Sequence, residues 1–168
     1  MKREEAKKYY IMDILNELVD VVIQTENPMY NLKLIDGAYY YGYNHKRINE
    51  PLPKVPLKGT EIKQVLYEDI NAMSRRLRDL HPLLSYGMIA ALTSFCLQVG
   101  FDDYMHSTLR QIVTSNPNIL DVTTELAKWV MKDGKEDENY RRRRLWEIGV
   151  ICNQEKDLDD YISLWAAI

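Results

Sequence analysis

The chain has 168 residues, 46% hydrophobic and 28% charged, a balance that fits one globular domain spanning residues 1–168 and excludes a disordered chain or a fibrous repeat. A formal charge of −3 and a pI near 5.7 exclude a global basic field, so any nucleic-acid contact has to come from a local patch. The one compositional bias is twelve Tyr against two Phe and three Trp, rings that keep a polar atom at a wet boundary.

In chain order, Met1-Lys2-Arg3-Glu4-Glu5 opens no secretory signal, because no short apolar core and small-residue cleavage site follow. From Arg3 to Gln24, Ile11, Ile14, Leu15, Leu18 and Val22 recur at helical spacing, predicting an amphipathic helix that Asn27-Pro28 ends. Asp36-Gly37 supplies the two φ > 0 positions of a type I′ turn and predicts a hairpin over residues 30–43. With Ile35 opposite Ala38, the pairs Leu34/Tyr39, Leu32/Tyr41 and Tyr30/Tyr43 share one face, and Lys33/Tyr40 and Asn31/Gly42 share the other. The Tyr/Leu face needs a cover of helices or a partner. Residues 50–57 carry Pro51, Pro53 and Pro56 and read as an extended connector.

Thr60 is the expected N-cap of a helix bearing Ile62, Leu66, Ile70, Met73, Leu77 and Leu80 on one face, closed by His81-Pro82. Residues 82–101 hold no charge, yet Ser85, Gly87, Thr93, Ser94 and Gln98 are scattered round every face, so this is the central helix of a bundle rather than a membrane span. Met88–Val99 is its expected core. Further helices are predicted at 103–115, 119–132, 137–153 and 158–167, broken at Asn116-Pro117, Asp133-Gly134 and 153–157. The fold class is mainly α, a multihelical single domain with one small β-hairpin. Cys96 and Cys152 read as small core residues in a reducing compartment.

No phosphate loop, Gly-x-Ser-x-Gly or Cys/His pair stands out, and no cofactor or metal is implied. Asp102, Asp103 and His106 lack a second ligand motif, and capping by Asp102 accounts for the acids. Arg141–Arg144 has acids at salt-bridge spacing, Asp137 to Arg141, Glu138 to Arg142 and Arg143 to Glu147, and reads as a solvated helix with local pairs plus one arginine anchoring a neighbour. Segment 92–113 is similar in spacing to a helix-turn-helix, with small Cys96 at the crossing, Gly100 at the turn and Leu109 beyond it.

The sequence-based reading is therefore a cytoplasmic, non-enzymatic regulatory protein that binds another macromolecule, a protein partner or a second copy of itself. Tyr39, Tyr40, Tyr41, Tyr43, Lys46 and Arg47, where rings alternate with cations, are the expected contacts. The alternative is a nucleic-acid-binding regulator using Arg75, Arg76, Arg78, Arg110, Arg143 and Arg144. An enzyme with a scattered site ranks third, and no membrane association is expected.

Overall fold

The computed structural model describes residues 3–166, and the side chains of residues 4–153 and 163. The chain runs α1 (Arg3–Thr25), β1 (Met29–Ile35), β2 (Ala38–Gly42), β3 (His45–Lys46), α2 (Gly59–Leu80) and α3 (Tyr86–Val99). It continues through α4 (Phe101–Met105), α5 (Thr108–Ser115), α6 (Ile119–Leu126), β4 (Met131–Lys132), β5 (Lys135–Glu136) and α7 (Glu138–Ala166). The fold is mainly helical with a small antiparallel sheet of order β1-β2-β3, as the sequence predicts.

α1 forms where expected, and its stripe of Ile11, Ile14, Leu15, Leu18 and Val22 is buried against Leu66 and Ile70 of α2 and Ala90 of α3. At the hairpin, Asp36 (φ 49°) and Gly37 (φ 78°) make the type I′ turn, and Ile35/Ala38, Leu34/Tyr39 and Lys33/Tyr40 pair as that turn dictates. The predicted Asn31/Gly42 pair does not form. Met29 faces Gly42 instead, because β1 carries two extra residues between Met29 and Lys33 as a bulge. Gly42 takes φ 63°, a left-handed conformation that glycine adopts without strain, where the sheet packs beside Ile62 of α2. The expected Tyr/Leu ladder therefore splits. Tyr41 packs with Leu57 and Ile62, flanked by Leu32 and Tyr43, whereas Leu34 stays 62% exposed at the protruding tip.

α2 joins two lobes. Its first turns carry the sheet through Ile62, and its last turns enter the helical core through Leu77. The N-cap is Lys58 rather than Thr60, with Lys58 N donating to the Glu61 carboxylate at 3.4 Å. α3 is buried from Gly87 to Cys96, packed by α1, α2, α4 and α7, which is why this segment carries no charge. Among the described residues no helix is long and apolar enough to cross a membrane.

Three stretches differ from the predicted helices. Segment 103–115 breaks into α4 and α5 because the Ser107 hydroxyl accepts from Arg110 N at 3.1 Å and starts a new helix. Segment 119–132 stops at Leu126, since Asp133 (φ 52°) and Gly134 (φ 76°) build a second type I′ hairpin, β4-β5. The break expected at 153–157 is absent, as α7 runs on to Ala166, and Ala167 lies outside the described residues. Cys96 is buried as expected, but Cys152 is exposed on α7.

Candidate active-site cleft

Over α2, between the sheet and the helical lobe, opens a groove of about 690 Å³. Tyr40, Asn44 and Lys46 line it from the sheet, Met73 and Arg76 from α2, and Leu97, Gly100 and Phe101 from the far wall. The lobes are pinned beside it by His45. Its Nδ1 lies 2.8 Å from Asp69 Oδ2 on α2, its Nε2 lies 2.6 Å from Glu50 Oε1, and the Tyr41 hydroxyl donates to the same Glu50 oxygen at 3.0 Å. Burial, the largest single effect, pushes the imidazole toward neutrality, but Asp69 and Glu50 together outweigh it and raise its pKa to about 9. At neutral pH His45 is a cation held between two carboxylates.

The second constellation lies at the C-terminal end of α1, where the helix delivers Thr25 and Glu26. Glu26 accepts from Gln98 Nε2 of α3 at 3.2 Å and pairs with Arg143 Nη1 of α7 at 3.5 Å. Arg143 also donates from Nε to the Ser94 hydroxyl (2.9 Å), from Nη2 to the Ser94 carbonyl (2.7 Å) and from Nη1 to the Thr25 hydroxyl (3.3 Å). Behind it, Glu147 accepts from the Ser94 hydroxyl at 2.6 Å and from Arg144 Nη2 at 2.8 Å. Arg144 Nε stands 2.6 Å from the other Glu147 oxygen as an ion pair without hydrogen-bond alignment. Arg144 Nη2 also donates to Gln98 Oε1 (3.0 Å), and its guanidinium stacks 4.8 Å over Phe95.

Two arginines thus face two glutamates, which closes the charge count in a buried place. Burial lowers the Arg143 pKa to about 10, still cationic at neutral pH, and pushes the Glu147 carboxyl up against the pull of Arg144. The side chains of Arg143, Arg144 and Glu147 are 1%, 2% and 0% exposed, but Glu26 is 29% exposed. Glu26 is accordingly the member of this network that meets solvent, gripped on one side and open on the other.

Of the residues singled out from sequence, Tyr40 and Lys46, paired across β2 and β3, line the groove. Tyr41 turns inward to Glu50, Tyr43 packs into the core, Tyr39 is half-buried, and Arg47 donates back to the Glu50 carbonyl. Arg75 and Arg78 are exposed on α2, and Arg110 is half-buried on α5. Arg143 and Arg144 are buried, Arg143 reaching Glu26 rather than pairing along its own helix, so neither can grip phosphate. The helix-turn-helix reading also falls, since its second helix is cut at His106–Ser107. Sequence reasoning missed Glu26, took Gln98 only as a scattered polar residue of the central helix and paired Glu147 with Arg143 along α7. The signal available was Ser94 and Gln98, one turn apart on an otherwise apolar helix, a polar stripe that needed charged partners.

The sequence model described as Phage lysozyme matches residues 29–147, which takes in the sheet, α2 to α6 and the buried arginines and begins just after Glu26. Among solved structures the chain is similar to the muramidase domain of SpmX from Asticaccaulis excentricus, with 19% identity, a TM-score of 0.63 and coverage of 80% of this chain and 94% of that one. It is similar to an endolysin from Escherichia coli O157:H7 phage FAHEc1 at 16% identity and TM-score 0.60, covering 82% and 91%. It is similar also to the P1 phage endolysin Lyz at 12% identity and TM-score 0.61, covering 92% and 95%. At these identities the structures establish a common fold. No curated protein sequence matches the chain significantly. The family match overturns the expectation of a non-enzymatic regulatory binder, together with its nucleic-acid alternative. The reason is physical: Glu26, its partners and the groove come from segments far apart along the chain.

Proposed function

The chain belongs to the phage lysozyme family, and on that premise we propose that it hydrolyses the glycan strand of peptidoglycan, with Glu26 as the proton-donating carboxyl. Cleaving a glycosidic bond requires an acid at the leaving oxygen and stabilisation of an oxocarbenium-like transition state. The observation that carries the reading is the placement of Glu26, the solvent-facing end of an otherwise buried charge network and tied by Gln98 to the helix whose Leu97 lines the groove. Arg143 and Gln98 fix its orientation before substrate arrives, so little reorganisation is left for the reaction. The open groove suits an extended polymer.

Two-carboxylate hydrolysis also needs a second, ionised carboxylate across the bond, to attack the anomeric carbon or to activate the water that does. Asp36 is the sole carboxylate between residues 29 and 46, exposed at the hairpin tip, and is the residue to test for that role. Peptidoglycan lies outside the cytoplasmic membrane, so this reading moves the expected place of action from the cytoplasm to the cell wall. Turbidity clearing of purified sacculi tests it. Glu26→Gln is expected to lose about 10²–10⁴-fold in rate with its fold intact, the usual contribution of a positioned acid. A comparable loss in Asp36→Asn assigns the second role to Asp36. Full activity in Glu26→Gln rejects the assignment of Glu26.

A further inference from the structure

The groove holds one arginine that the proposed chemistry does not use. Arg76, near the end of α2, lies with its guanidinium carbon 3.4 Å from the centroid of the Phe101 ring. Phe101 opens α4 directly after Gly100, and both Arg76 and Phe101 line the groove. A guanidinium this close to a ring face lies flat on it and presents its N–H groups edge-on. Among the described residues Arg76 makes no hydrogen bond and no ion pair. The other charges differ. Four carboxylates share the groove lining with Arg76: Glu50 and Asp69 are taken by His45, and Asp102 and Asp103, exposed in the first turn of α4, form no ion pair with it among the described residues. Arg75 and Arg78, its neighbours on the helix, are outside the groove lining.

An exposed arginine on a helix is ordinarily a mobile, solvated charge. Stacking removes much of that mobility, so a planar fork with free donors stands in a cleft that fits a polymer. The ligand that matches it is a planar anion, a carboxylate taken bidentately. Resting on the reading above, we propose that Arg76 recognises a carboxylate carried by the glycan strand, which makes the site selective for peptidoglycan over neutral β-1,4-linked polymers. The carboxylate has two sources in that polymer, the lactyl group of unsubstituted muramic acid and the acids of the peptide stem.

The test is co-sedimentation in the Glu26→Gln background, so that the polymer is not consumed, with intact sacculi, amidase-stripped glycan strands and chitin. Arg76→Gln is expected to weaken binding to sacculi about tenfold or more, the scale of one lost charge-assisted bidentate contact, and to leave chitin binding unchanged. Arg76→Lys, which keeps charge but loses the fork, is expected to fall between. Loss on sacculi alone identifies the stem as the source; a loss that extends to the stripped strands, whose lactyl carboxyl the amidase frees from its amide, shows that the fork takes either carboxylate. Equal binding by the Arg76→Gln variant and its parent overturns the proposal, as does an equal loss on chitin or a parent that binds sacculi no better than chitin. If the unaltered chain fails to clear sacculi while the Arg76-dependent preference persists, hydrolysis is rejected and recognition stands. Clearing that is indifferent to Arg76 rejects recognition alone.

Discussion

Arg143 and Arg141 lie two residues apart on one helix and have opposite fates. Arg141 pairs with Glu138 at 3.5 Å, both well exposed, while Arg143 is sealed between α1 and α3. Arg141→Gln is therefore expected to change stability by about 0–1 kcal/mol, and Arg143→Gln to cost about 3–5 kcal/mol by leaving buried carboxylate charge uncompensated. Urea melts of the two variants check this, and equal midpoints would contradict the closed network. His45 supplies a pH signature. Its folded pKa of about 9 exceeds the ordinary 6.5, so its stabilisation is complete below about 6.5 and is lost as pH rises through 9. Glu50 is shifted the other way, down, by His45 and Tyr41 against its own burial, so its contribution fades as pH falls below the ordinary 4.5. The optimum from this pair lies between those ordinary values. Stability is expected to decline from pH 6.5 to 9 by on the order of 2 kcal/mol after solvent screening, and His45→Asn is expected to flatten that decline in melts across the range.

At the scale of elements, the two Asp-Gly steps are instructive because one was read as a hairpin and the other only as a break. Both adopt φ > 0 at each residue. The first was legible because alternating apolar residues flank it; Met131-Lys132 and Lys135-Glu136 are exposed and show no alternation. Gly37→Val and Gly134→Val are both expected to destabilise their turns, because a β-branched residue is strained at positive φ. Loss of the corresponding cross-strand amide contacts in NMR reads this directly. α3 behaves as its uncharged sequence requires. Phe95 and Leu92 are 0% and 1% exposed, and truncating either to Ala is expected to cost about 2–5 kcal/mol in denaturant melts.

For the whole molecule, the lobes differ in how they are held. The helical lobe has a continuous core through α2, α3, α5, α6 and α7, whereas the sheet rests on Tyr41, Leu57 and Ile62 and on the His45 bridge. Amides of β1–β3 are expected to exchange with solvent through cheaper openings than those of α3, a difference that native-state hydrogen exchange measures. Local patterns on the chain were enough for α1, the first hairpin's turn, the course of α2 to His81 and the burial of α3, because each depends on side-chain periodicity or backbone sterics within a few residues. They also marked Tyr40, Lys46 and Arg76 as unusual without saying what they face. Helical spacing paired Arg143 with Glu147, yet packing α7 across α1 and α3 gave Arg143 to Glu26, 117 positions away. Only the tertiary structure decided where Glu26, its partners and the cleft meet, since a charge taken out of water needs opposite charges from whichever segments packing brings alongside, and Arg143 draws on Glu26 as well as on buried Glu147.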